Sequence, residues 1–149
     1  MTKEQMLVFQ TRVSQANRSE LVVITYDIAI EYFNEAKEYF KKGDYDNFIA
    51  CCKAVKKCFT DLLESLDYEY ALSLDLQKLY LFLNNSMFQS IIKKEMINFE
   101  IVGEIMMKLR DSFVIIAKED NSESVMQNTQ QIYAGYTYGK GVLNEVVRR

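Results

Sequence analysis

Few side chains in this sequence could do chemistry, and their spacing argues against a reaction. There is no histidine, which removes the commonest general base and metal ligand. Cys51, Cys52 and Cys58 fall on one helical stretch. Neighbours on a helix are poorly placed to bridge each other, the number is odd, and two adjacent thiols with a third six residues on do not match a zinc spacing. They read as reduced core residues. Glu31, Glu35 and Glu38 could supply an acid–base pair, but on an amphipathic helix they read as a solvated face. Lys53, Lys56 and Lys57 could hold a phosphate and read instead as a small solvated patch. No glycine-rich phosphate loop and no Ser-His-Asp set is present. The expectation is a protein that is not an enzyme and that needs no cofactor and no metal.

The informative side chains are apolar. In the third long predicted helix, Leu72, Leu76, Leu79, Leu83 and Met87 form one stripe at steps of four, three, four and four. Tyr70, Leu74, Leu81, Phe88 and Ile92 form a second. At about 100° per residue the two stripes point roughly 150° apart. A helix in a small bundle needs one apolar side for its own core, so the second side calls for a second partner. Either another part of the chain covers it or another protein does, since large exposed apolar patches mark interaction surfaces. The N-terminal arm and the C-terminal tail are rival covers.

The elements that position these stripes are all helical. Residues 2–13 make a short helix or ordered arm with Met6, Phe9 and Val13 on one side. Asn17-Arg18-Ser19-Glu20 has the pattern of a capping box. A helix follows with Val22, Tyr26, Ala29, Phe33, Ala36 and Phe40 inward, stopped by Gly43. Asp44 caps a second, with Phe48, Cys52, Val55, Phe59, Leu62 and Leu66 inward. The third runs from about Tyr70 to Ile92. A fourth carries Phe99, Val102, Met106, Leu109, Phe113 and Ile116, with Gly103 allowing a close helix approach. Short connections between helices of this length predict an all-α fold, an antiparallel up-down four-helix bundle with a short N-terminal helical arm. The bundle and arm take residues 1–120. Residues 121–149 form a C-terminal extension, whose run at 133–141 is poor helix material.

Bulk properties fit that picture. The 149 residues are enough for one domain with its own core. Apolar residues make up 49% and charged residues 26%, ordinary for a globular chain. A net charge of -3 and a pI near 5.1 give no strong drive toward nucleic acid or an anionic membrane. No apolar run approaches the roughly 20 residues that span a bilayer, and the first ten residues lack the layout of a signal peptide. The expectation is a cytoplasmic protein, with no nucleic-acid partner and no membrane insertion.

With these residues in place, the chain resembles the FliS family of flagellar secretion chaperones. Members carry a Val-x-Thr-Ala-Ser-Pro-x-x-Leu element leading into an apolar helix with a Tyr-Asp pair, and Val13, Ala16, Leu21, Tyr26 and Asp27 match it in register. An aromatic residue eight positions before that Ser is Phe9 here. Leu66-Asp67 matches the connection before the third long helix, Leu79-Tyr80 a Leu-Tyr within it, and Leu109-Arg110-Asp111, followed by Ser112 and Phe113, an element of the fourth. The Gly135-to-Glu145 stretch is similar to the extension of some Gram-positive members. The chain departs from the pattern in two places. Gln15-Ala16-Asn17-Arg18 replaces Thr-Ala-Ser-Pro, losing the proline and keeping a cap. Phe82-Leu83, Asn85-Ser86 and Ser90-Ile91 stand where members have an aromatic-Met, two Arg and an Ala-Asn, so this helix is more apolar than usual for the family.

The resemblance implies a helical bundle that binds newly made flagellin. It would hold flagellin's disordered C-terminal segment as an extended helical wrap, prevent premature polymerisation and assist delivery to the flagellar export gate. The N-terminal segment is linked in the family to partner exchange and gate contact. The partner-binding residues expected on this reading are Phe9, Tyr70, Leu74, Leu81, Phe88 and Ile92, on a protein that is a monomer or weak dimer. The alternative is a self-associating four-helix structural or regulatory module that pairs through the same stripe.

Overall fold

The computed structural model describes residues 1–126. They form five helices: α1 (Lys3–Gln15), α2 (Arg18–Lys41), α3 (Tyr45–Glu64), α4 (Leu72–Lys93) and α5 (Phe99–Glu119). Helices α2 to α5 are the four-helix bundle, and α1 is the arm. The tail stretch at 133–141 lies outside the described residues.

Local sequence sets most helix ends. Asn17 caps α2 through its side-chain oxygen, which accepts from the Glu20 N–H at 2.9 Å, while the Glu20 carboxylate reaches back to the Asn17 N–H. Gly43, at φ +73°, turns the chain out of α2, and the Asp44 side chain accepts from the Asn47 N–H to start α3. Between α4 and α5, Lys94 and Asn98 both adopt the left-handed conformation, which costs non-glycine residues roughly 1–2 kcal/mol each. Hydrogen bonds hold that turn. The Ile97 N–H donates to Ser90 Oγ at 3.0 Å and Asn98 Nδ2 donates to Ser86 Oγ at 3.1 Å.

The core is aromatic at both ends. Near one end, Phe40, Phe48, Phe99 and Phe33 pack in series with ring centres 5.2, 5.9 and 4.5 Å apart, joining α2, α3 and α5. Gly103 lets α5 sit close, since a Cβ there would lie 3.3 Å from the Phe33 ring. Toward the other end, Tyr26 of α2 stacks on Phe113 of α5 and donates across the bundle to the Tyr80 hydroxyl of α4 at 2.6 Å. Pairings of Phe33 with Phe99, Asp27 with Arg110 and Ser19 with Asp120 run antiparallel along α2 and α5. Cys51, Cys52 and Cys58 are buried and free. Burial pushes the Cys52 and Cys58 thiols up to about 12, so they stay protonated packing groups.

Several expectations change. The third long helix starts at Leu72, not Tyr70. Tyr70 lies in the preceding turn, its N–H donating to the Asp67 carbonyl and its own carbonyl accepting from Ser73, so the backbone closes a turn before the helix begins. The first α4 stripe is also not all core. Leu76, Leu83 and Met87 are buried together with Ser73, Tyr80, Ser86 and Ser90, while Leu72 is exposed. In α1, Met6 faces solvent, and Gln5, Phe9, Arg12 and Val13 are the partly covered positions. Polar contacts set that roll. Gln5 Nε2 donates to Glu31 at 2.9 Å and Arg12 pairs with Asp27 at 2.8 Å. Glu31 and Glu35 therefore do not form a plain solvated face. They lie half-buried beneath the arm, where the Met1 ammonium pairs with Glu35.

Candidate functional site

The four helices are not equally joined. Helix α2 packs closely on α3 and α5, α3 packs on α4, and α4 and α5 are the most loosely joined of the neighbouring pairs in the bundle. Helix α1 packs on α2 and makes no close approach to α4. The arm therefore does not cover the second α4 stripe, as it would if it were a lid there. Its anchor points on α2 are Glu35, Glu31 and Asp27.

Leu74, Leu81, Phe88 and Ile92 are 55%, 52%, 46% and 63% exposed. At 100° per residue they fall within a narrow arc of α4, turned away from the buried face of Leu76, Tyr80, Leu83 and Met87. The side facing α3 is marked by Asn84, whose Nδ2 donates to Thr60 Oγ1. Among the described residues this apolar line has no cover. Tyr70, also exposed, precedes it in the turn. Phe9 is not brought to the line. It sits on α1, half-buried, with the Arg12 guanidinium 5.6 Å above its ring.

A second apolar strip was not read from the sequence. On the flank of α4 away from α3 lie Leu72 and Leu79, and on the flank of α5 away from α2 lie Ile105, Leu109 and Ile116. The α5 orientation follows from Arg110 and Gly103, which face Asp27 and Phe33 of α2. These five residues border the loose seam between α4 and α5, and Leu72 and Ile116 remain 59% and 45% exposed. Ile116 was expected in the core. It lies near the end of α5, one turn beyond Phe113, the last α5 side chain packed against the core. The signal for this strip was present in α5, whose apolar positions also include Ile101, Ile105 and Ile115, a wider arc than one core contact needs.

The polar groups of note lie away from these strips, in the core and between α1, α2 and α5. Asp27 takes Arg12 of α1 on one oxygen and Arg110 of α5 on the other, at 2.8 and 2.7 Å. Burial raises the Tyr26 and Tyr80 hydroxyls above the usual tyrosine range, so both stay neutral. A cleft of about 330 Å³ opens between α1, α2 and α5 beside Arg12, Glu20, Val23, Ile24, Val114 and Lys118. Its charged groups are of both signs, Arg12 and Lys118 with Glu20. The surface suits a protein partner better than a small substrate.

The family model for flagellar protein FliS matches residues 1–120. The chain belongs to the FliS family. FliS proteins are flagellar chaperones and not an enzyme family, which agrees with an all-helical bundle whose most prominent surface is apolar. A comparison with curated proteins gave no match. None of the described helices is long and apolar enough to cross a membrane.

Proposed function

We propose that this FliS-family chain is a cytoplasmic export chaperone that binds the disordered C-terminal segment of flagellin. Holding that segment prevents premature polymerisation and assists delivery to the flagellar export gate. The observation that carries the reading is the exposed line Leu74, Leu81, Phe88 and Ile92 on α4, which no described residue covers. Its steps of seven, seven and four are those at which an incoming amphipathic helix places its own anchors. The α4–α5 seam offers a second run of the same wrap. Tyr70 would cap the line at the α4 entrance, and Phe9 would meet the partner at a separate point on the arm, as an extended wrap allows.

The energetics suit capture and release. Ordering a disordered segment consumes about 2–5 kcal/mol of the interaction energy, and apolar burial returns about 25 cal/mol per Å². A long wrap over two strips exceeds that cost in total, yet each section contributes little enough to peel away in turn.

The test is binding of a flagellin C-terminal peptide to the Leu81→Glu/Phe88→Glu double variant, with helicity followed by circular dichroism. Lost binding with unchanged helicity supports the proposal. Unchanged affinity overturns the α4 assignment. Light scattering over a concentration series provides a second arm. A one-to-one complex with the peptide supports the chaperone, whereas a tight dimer of the free protein that takes no peptide overturns it in favour of a self-associating module.

A further inference from the structure

The chain after α5 folds back on the elbow between α1 and α2. Ser19 Oγ donates to Asp120 Oδ2, and the Ser122 N–H donates to Asp120 Oδ1 at 2.8 Å, so one carboxylate both reaches α2 and shapes its own turn. Asn17 Nδ2 donates to the carbonyls of Asp120 and Ser122 at 3.3 and 3.4 Å. The Val125 N–H donates to the Ala16 carbonyl at 3.0 Å, and Ser124 Oγ donates to the Ser14 carbonyl at 3.4 Å. Ala16 and Asn17 are both buried under this return.

Asn17 is the crossing point. Its Oδ1 caps α2 and its Nδ2 holds the returning chain. The amide puts its acceptor and its donor on separate atoms, so one side chain serves both elements at once. A serine here, as the resembling family element has, keeps the cap but has one short hydroxyl in place of the separate amide N–H2 that holds the returning chain. An aspartate keeps the cap and turns a negative oxygen toward two carbonyls.

The elbow matters because α1 is weakly held. It has 13 residues and none fully buried, and an isolated helix of that length is marginal in water. Its docking rests on a few side-chain contacts to Asp27, Glu31 and Glu35 and on the direction in which the elbow launches it.

We propose that Asp120–Val125 is a strap that locks the α1–α2 elbow, and that Asn17 is the positioning residue through which the C-terminal end of the chain controls docking of the N-terminal arm.

Hydrogen exchange on the full chain tests this, comparing Asn17→Ser, Asn17→Asp and Asp120→Ala with the parent. Expected is exchange of the α1 amides faster by roughly tenfold in Asn17→Asp and Asp120→Ala, and by less in Asn17→Ser, with α3 and α4 amides unchanged. Asp120→Ala leaves the α2 cap untouched and so separates strap from cap. Faster exchange in 120–126 with α1 unchanged in Asp120→Ala overturns the coupling. An unchanged 120–126 segment in both Asn17 variants overturns the role of Asn17.

Discussion

Helix α2 has α1, α3 and α5 against it, whereas α4 has α3 and little of α5. Both helices carry more apolar surface than one core contact requires. The difference lies in their outward rows. On α2 that row is Asp27, Glu31 and Glu35, and the arm meets it with Arg12, Gln5 and the Met1 ammonium. On α4 it is Leu74, Leu81, Phe88 and Ile92, and nothing described meets it. An acidic row can be left to water at little cost. An apolar row left to water forgoes about 25 cal/mol per Å². Among the described helices, α1 lies on the row that needs it less, and the apolar row is left open for the partner proposed above.

That contrast can be broken in stages. The largest effect is expected from Leu81→Glu/Phe88→Glu. Each side chain contributes about 1.5–3 kcal/mol when buried against a partner, so peptide affinity should fall by roughly a hundredfold or more while the thermal midpoint stays near that of the parent. The same charges placed at Leu83 and Met87, which are fully buried, should unfold the bundle instead, as circular dichroism would report.

Next in size is Tyr80→Phe, which leaves the buried Tyr26 hydroxyl without its partner and should cost about 1–3 kcal/mol in urea unfolding. The Tyr26→Phe/Tyr80→Phe double variant should lie closer to the parent than the sum of the two singles, because neither hydroxyl is then stranded. Additive costs would mean the pair is not coupled.

Arg12→Gln should do less. Arg12 is partly exposed, and Asp27 keeps Arg110, so global stability should change by under about 1 kcal/mol. The arm amides should nevertheless exchange faster and α4 should not respond. An effect on α4 would erase the distinction between the two helices.

The smallest effect concerns acid. Hydrogen bonds from Ser122 and Ser19 hold the Asp120 carboxyl at about 2, below its ordinary 3.8. A carboxylate whose pKa is lowered in the folded state stabilises that state above its unfolded value and loses the contribution as pH falls through the folded one. The strap amides should therefore keep their protection above pH about 4 and lose it toward pH 2.

The start of α2, the turn out of it and the start of α3 were legible because local groups settle them, whereas α4, which has no side-chain cap, begins two residues later than its pattern suggests. Asn17 with Glu20, Gly43, Asp44 and Gly103 each act on neighbours in sequence or leave room that any close helix would use. The inward rows of α2 and α3 were legible for the same reason, since period alone places Tyr26, Phe33, Phe48 and Phe59. What could not be read depended on how helices and their connections pack. Ser73, Ser86 and Ser90 look like surface residues, yet they lie on the buried face of α4 and are hydrogen-bonded by the flanking turns through Asp67, Ile97 and Asn98. Glu31 and Glu35 look solvated, and only the direction of the arm makes them otherwise. The exposed α4 line was visible as a second stripe, but whether the arm lay over it could be decided only by where α1 docks.

The Tyr26–Tyr80 bond crosses the bundle between diagonal helices that otherwise stay apart. It therefore works as a rotational stop. If α4 turned by one residue, about 100°, the two hydroxyls would part inside the core, and the Leu81 row would swing off its outward bearing. One hydrogen bond between two phenols thus adds to the buried face of α4 in setting the azimuth at which this helix presents its exposed apolar row.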